Sequence, residues 1–444
     1  MPCDKSANAD PKKEFFIDVI TMDIDYPDCI LDLIDNSVDA YTRSEIDDPQ
    51  IRVTFGEDSL EIYDNCGGIS EHDLLNTVFR FGGHVAHDST DTLGIYGVGL
   101  KRAIFKIGNA FEFETYDGVN HNIVYENDLS EWKTRDDDED GKWRFKVRAG
   151  AELDQETHGF SELRITKLKD SYKKMVTLDA KIIEEISIKY VLFMNRGLSF
   201  WVDNLKIEPL FNFEVLSNEY LQPSVKLLEK DGLKVKIVCT YNPRESLRSE
   251  REEGRYGWNV FCNDRLILLS NTTKETGWGE LGNIAFHQLY YPFCGYVFIN
   301  SHDVRKLPVK TTKNGLVTSD NTYKFILNEM WNQATPVLKY LRTSRLMDEE
   351  TLIKDAEKSA NEKVLQDSKL ARSNADQKSI FSMNEKASFK APDMKPKRKE
   401  LTKIQYSRPT VQVDKVKRKL GAESNKKVGE LTFDLFYDEE CDDA

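Results

Sequence analysis

Ile30-Leu-Asp-Leu-Ile-Asp-Asn-Ser-Val-Asp-Ala40 is the stretch on which the reading of this chain turns. Ile30, Leu31, Leu33, Ile34 and Val38 fall where the buried side of a helix needs them, while Asp32, Asn36 and Asp39 share another face. Acid and amide groups are costly to bury unless they are paired or bind something. Taken alone, the pattern suits a surface helix with a polar stripe. Its meaning rests on the segments that follow.

Leu60-Glu-Ile-Tyr-Asp-Asn-Cys-Gly-Gly-Ile69 alternates like a strand and runs into Asp64 and a Gly67-Gly68 turn. Leu93-Gly-Ile-Tyr-Gly-Val-Gly-Leu-Lys101 is a glycine-spaced loop leading into a helix-like Arg102 to Ile107. An asparagine-bearing helix, an aspartate before a double glycine and a Gly-x-x-Gly-x-Gly loop, in this order, resemble the GHKL ATPases. These are gyrase B, the ninety-kilodalton heat-shock chaperones, sensor histidine kinases and MutL. The forms of Leu33-Ile-Asp-Asn36 and of the loop ending Tyr96-Gly-Val-Gly99 are very similar to those of MORC proteins and their bacterial relatives. Each motif is weak alone; their order and separation make the resemblance specific.

The resemblance covers about residues 14–345 and implies an α+β fold. A Bergerat-type α/β sandwich ATPase domain is expected over residues 1–196, with the segment before the motif helix as a packing strap or exchanged arm. A transducer-like α/β domain is expected over 197–345. Alternation predicts strands over Ile51–Phe55, Leu60–Tyr63, Ala110–Tyr116, His121–Tyr125, Trp143–Val147 and Ser161–Ile165, then over Lys234–Tyr241, Asn259–Leu269 and Tyr296–Ile299. Ser70 reads as the N-cap of a helix to Phe81, Lys173–Phe193 reads as one long helix, and Ser319–Arg345 as a helix that Pro336 kinks or breaks.

Composition shifts after Leu346. An exposed helix is expected over 346–378, a basic, disordered linker over 379–403, and a small interaction segment with an acidic tail over 404–444. Within that segment Ile404–Tyr406 reads as a strand, and Val413–Leu420 and Val428–Tyr437 as helices. The Lys395-Pro-Lys-Arg-Lys399 run is a candidate nucleic-acid contact, and the acidic tail a docking site for a partner protein. Asp136–Asp140 reads as a solvated hairpin tip, since packed carboxylates repel and a metal site needs spaced, mixed ligands.

The 444 residues carry a net charge of −14, so bulk electrostatics do not make the chain a polyanion binder. No apolar run approaches the roughly 18–20 residues of a membrane span. Seven scattered cysteines without any Cys-x-x-Cys read as reduced thiols of a cytoplasmic protein.

The chain has no Gly-x-x-x-x-Gly-Lys-Ser/Thr, which excludes a Walker-type site. By the resemblance, ATP is held by Mg²⁺ and backbone. Mg²⁺ takes few protein oxygens besides phosphate, and Asn36 matches the family ligand. Asp32, one turn earlier, matches the carboxylate that orients or deprotonates water. The family usually has glutamate there, and aspartate falls short by about one bond, ~1.5 Å. Asp64 matches the acceptor for the adenine amine, with Gly68 admitting the ring and Cys66 where a first glycine is usual. Gly94, Gly97 and Gly99 would turn backbone N–H groups toward phosphates, and Lys101 would add charge. Ser161 is a further candidate contact, standing where a Gly-Thr is common. The mobile-looking 82–92 stretch corresponds to the nucleotide lid. Lys313, in Leu307-Pro-Val-Lys-Thr-Thr-Lys313, matches the transducer lysine that reaches the γ-phosphate.

The resemblance implies a slow, Mg²⁺-dependent ATPase switch that closes its lid and forms a homodimer on ATP, in a DNA-related or defence assembly. A non-hydrolysing ATP-gated scaffold is the alternative. A histidine kinase lacks support because no helical phospho-acceptor segment is evident, and a chaperone because no client-binding domain is.

Overall fold

Strands β1 (Gln50–Phe55) and β2 (Ser59–Asp64) turn Ile51, Val53, Leu60 and Ile62 inward, as period two requires. In the computed structural model they lie within an eight-stranded sheet of order β5-β4-β3-β6-β2-β1-β7-β8. The other members are β3 (Gly108–Tyr116), β4 (His121–Glu126), β5 (Lys146–Ala149), β6 (Phe160–Leu168), β7 (Ser199–Val202) and β8 (Leu205–Ile207). The described residues are 12–82, 93–94, 97–135, 143–154, 158–242, 256–351, 376–391 and 404–440. They fall into two units, Met1–Met394 and Lys395–Ala444.

Helices α1 (Lys13–Met22), α2 (Tyr26–Arg43), α4 (Gly99–Ile107), α5 (Leu129–Thr134) and α7 (Leu178–Lys189) share one core with this sheet, giving a mixed α/β arrangement. The short α3 (Glu71–Asp73) starts at Ser70, whose hydroxyl accepts from the Asp73 N–H at 3.2 Å, then widens into a π-turn at Leu74–Val78. The expected helix to Phe81 is therefore interrupted. The pattern over 173–193 is also broken, into α6 (Asp170–Lys173), α7 and α8 (Val191–Asn195).

The sheet crosses the expected 196/197 division. β7 pairs in parallel with β1 (Gln50 opposite Ser199), so β7 and β8 complete the first sheet. The physical reason is edge coverage: β1 would otherwise expose its unpaired N–H and C=O groups.

The second sheet has order β10-β11-β14-β12-β13: β10 (Ser224–Lys230), β11 (Leu233–Tyr241), β12 (Gly257–Cys262), β13 (Arg265–Asn271) and β14 (Phe293–Asn300). One face packs on α9 (Asn321–Thr351). Pro336 lies inside α9 without ending it. The lost hydrogen bond and clash cost roughly 3 kcal/mol, while burying Val337, Leu338 and Leu341 contributes roughly 1.5–3 kcal/mol each.

Residues 376–391 correct the expected disordered linker. β15 (Asp376–Ser379) pairs antiparallel with β9 (Glu214–Ser217), Ala387 bridges to Val225, and Ile380 is fully buried with Phe213 and Val215. A few apolar side chains, Ile380, Phe381 and Phe389, suffice to hold this lysine-bearing segment to the second sheet.

In the second unit, helix Thr410–Leu420 ends at Gly421 (φ +59°), and helix Asn425–Glu440 follows. Residues 404–406 are irregular rather than a strand. Residues 83–92 of the expected lid, the acidic run 136–140 and the basic run 395–399 lie outside the described residues. Among those described, no helix is long and apolar enough to cross a membrane, and all five cysteines are buried free thiols.

Candidate functional site

Helix α2 begins where Asp25 accepts from the Asp28 N–H at 2.9 Å, with Pro27 in its first turn. It is covered on nearly all sides. Asp32, Asp35, Ser37 and Asp39 are buried, and among these polar positions only Asn36 is exposed. The simple division into an apolar and a polar face therefore fails. Each buried acid has found a partner instead.

The glycine loop runs back along the helix. The N–H groups of Leu93 and Gly94 donate to the Asp39 carboxylate, the latter at 2.9 Å. A Cβ at Gly94 would stand 3.2 Å from Asp39 Oδ2 and 4.0 Å from Asn36 Oδ1. At the loop's far end a Cβ on Gly99 would stand 3.3 Å from Asp32, so the N-terminus of α4 reaches this carboxylate closely only because it starts with glycine. Asp39, Asn36 and Asp32 thus mark successive levels along one edge of the loop. Burial raises the Asp39 carboxyl to about 6 despite its two backbone donors.

Asp64 contacts α2 through Ser37, two residues before Asp39. Alternation along β2 points it inward after Leu60 and Ile62. It accepts from Ser37 Oγ at 2.7 Å and from the Cys66 N–H at 3.0 Å, and burial raises its carboxyl to about 6. Ser161 sits opposite it in the β2–β6 register, its hydroxyl 3.1 Å from that of Thr115. Gly68 (φ +68°) is required here: a Cβ would meet the Tyr116 carbonyl oxygen at 1.9 Å.

The other end of α2 carries charge. Asp32 pairs with the Arg102 guanidinium and lies 3.3 Å from Lys313 Nζ. Asp35, fully buried, accepts from Lys313 Nζ at 2.7 Å and from the Tyr190 hydroxyl at 2.7 Å, and the Arg265 guanidinium forms an ion pair with it, Nε 2.8 Å away but not aligned for a hydrogen bond. Burial alone would raise the Asp35 carboxyl; Arg265 and Lys313 outweigh it and hold it below the ordinary aspartate value. Burial likewise pulls the Lys313 ammonium down, and Asp35 and Asp32 more than reverse it. Lys313 comes from the loop of the second sheet's half of the unit, 278 residues along the chain from Asp35.

Most of the sequence-expected residues converge on α2. Lys101 does not. It is buried, donating to the carbonyl oxygens of Val78 (2.8 Å) and Arg80 (3.1 Å), and burial lowers its ammonium to about 8. It closes the end of the π-turn where a phosphate contact was expected. Gly94 spends its N–H on Asp39, and Gly97 (φ +59°) is at a left-handed turn. Sequence reasoning missed Asp35, Arg102, Tyr190 and Arg265. Asp35 carried a signal: it stands beside Ile34 and four residues after Leu31, an acid in an apolar stripe.

Residues 26–159 match the family model for the histidine kinase-, DNA gyrase B- and HSP90-like ATPases. The match supports ATP binding by this part of the chain. It spans the motif helix, Asp64, the glycine loop and Lys101, and leaves out Ser161 and Lys313. No curated protein matches the chain.

Proposed function

We propose that this protein is a slow, Mg²⁺-dependent ATPase switch of the MORC-like type, in which the γ-phosphate changes what the second lobe's Lys313 holds and hydrolysis reverses that change. The observation that carries this reading is Lys313: a lysine of the second lobe lies at the motif helix, within 3.3 Å of Asp32 and 2.7 Å of Asp35. A γ-phosphate entering beside Asp32 competes for that ammonium, so triphosphate and diphosphate states differ in what Lys313 holds.

The roles follow from position. Asp64 accepts from the adenine amine. Gly97, Gly99 and the α4 N-terminus face phosphate. Asn36 offers an exposed amide oxygen beside Gly94, a donor suited to a hard cation that also binds phosphate oxygens. Asn36 would hold Mg²⁺, which when bound would supply positive charge against the phosphates. Asp32 takes the proton of, or orients, the attacking water. Lid closure over the nucleotide and homodimerisation in the ATP state complete the cycle, with the basic run at 395–399 and the acidic tail as contacts for nucleic acid and a partner protein in a DNA-related or defence assembly.

Steady-state hydrolysis and nucleotide binding, measured on the same samples, test this. Wild type turns over slowly, Asp32→Ala binds ATP without hydrolysing it, and Asn36→Ala loses Mg-ATP affinity. A second reading, an ATP-gated scaffold without turnover, is favoured by the ion pairing of Asp32 with both Arg102 and Lys313, two cations that lower the basicity a general base needs. Equal binding and no hydrolysis by all three proteins would establish it.

A further inference from the structure

The β12–β13 turn is held to an unusual degree. Asn263 and Asp264 both have left-handed backbone (φ +42° and +66°), which short polar residues tolerate best. Asn263 exchanges hydrogen bonds with Ser301: its Nδ2 donates to the Ser301 carbonyl at 3.0 Å, and its Oδ1 accepts from the Ser301 N–H at 2.8 Å. Asp264 pairs with Arg196, just after α8, at 2.7 Å. The next residue is Arg265, whose side chain is 2 % exposed.

Arg265 touches two things at once. Its Nε lies 2.8 Å from Asp35 Oδ1 on the motif helix, and its Nη1 donates to the Lys313 carbonyl oxygen at 3.1 Å. The guanidinium carbon lies 5.7 Å from the Tyr190 ring centroid, and the Tyr190 hydroxyl donates to the same Asp35 oxygen. Lys313 itself has left-handed backbone (φ +54°), which is uncommon for a residue with a side chain.

We propose that Arg265 is a positioning residue that sets Lys313 against the nucleotide site: one guanidinium brackets the motif helix through Asp35 and the Lys313 loop through its backbone. This rests on the ATPase reading and names what transmits the nucleotide state between the lobes. Lysine cannot replace it, because a single ammonium lacks the planar fork that reaches both acceptors.

Two measurements on Arg265→Lys decide it. Hydrogen exchange of the nucleotide-free protein should show faster exchange in residues 307–316, with the β11–β14 amides unchanged. In turnover, kcat should fall about 10- to 100-fold, the scale of a ~1 Å misplacement, with ATP affinity within about twofold. In a Lys313→Ala background the same substitution should lower kcat no further, since the two act as one unit. Uniformly faster exchange would mean a general loss of folding; Arg265→Gln, which leaves the Asp35–Lys313 pair in place, then repeats the comparison. Unchanged exchange at 307–316 in a folded variant overturns the bracket. So does an additive loss with Lys313→Ala. A wild type without turnover defeats the ATPase reading, and the exchange result still decides the bracket.

Discussion

Asp64 has opposite effects on stability and on binding. Its folded carboxyl titrates near 6, against 3.8 for the ordinary group, because burial penalises the charge. The folded state keeps a proton that the unfolded chain has lost, so this residue's contribution to stability declines as pH rises from about 4 to 6. Asp64→Asn should fold with an undiminished Tm at pH 7 and flatten that slope, measured by thermal melts across pH. The same substitution removes the charged acceptor proposed for adenine, a hydrogen bond to a charged group contributing about 1.5–3 kcal/mol, so ATP affinity should drop about 10- to 100-fold. In wild type the affinity should rise with pH through about 6, and in Asp64→Asn that component should vanish. Asp39, raised to about 6 for the same reason, adds to the stability slope and is left intact by this variant. Asp32 is the residue where the family pattern and this chain diverge. The Gly99 approach shows how closely the glycine loop comes to the shorter side chain, a built Cβ there standing 3.3 Å from it.

At the scale of elements, α2 and α4 form the site's frame, and Lys101 ties α4 to the end of the π-turn just before residues 83–92. π-turns are rare and sit often at functional positions. Lys101→Met should destabilise the protein by about 1–3 kcal/mol at pH 7, since two inward carbonyls lose their donor. The pH dependence has a defined sign. The folded ammonium loses its proton near 8 and the unfolded one near 10.5, so between those values the unfolded state binds more protons and stability rises with pH. Denaturant melts should show that rise in wild type and its absence in Lys101→Met. Strands β1 to β4, β6, β11 and β14 and the helices α2 and α9 were legible because period two and period 3.6 are written in local residue order, while β7 to β10 were not foreseen. The break in 173–193, the π-turn and the ordering of 376–391 were not. Each depends on which surface is available to cover a segment, and that surface comes from residues far away in the chain.

For the whole molecule, the decisive contacts join the first sheet's half to the second's through Lys313 and Arg265. If ATP recruits Lys313, a non-hydrolysable analogue should raise the dimer fraction in analytical ultracentrifugation, and Lys313→Ala should show no such rise while still binding nucleotide. An equal rise in Lys313→Ala would separate dimerisation from this lysine.

By itself, the sequence determined the α+β class and the order of the three motif segments, because helix faces, strand alternation and glycine spacing are local properties. It also marked Lys313 through its surrounding motif. Only the tertiary structure decided that Lys101 turns inward to the π-turn, that β7 and β8 finish the first sheet, and that Asp35 is the buried anchor for Arg265 and Lys313. The reason is electrostatic and steric: a charge's role depends on which opposite charge shares its desolvated space, and residues 35, 265 and 313 meet only after two sheets have folded.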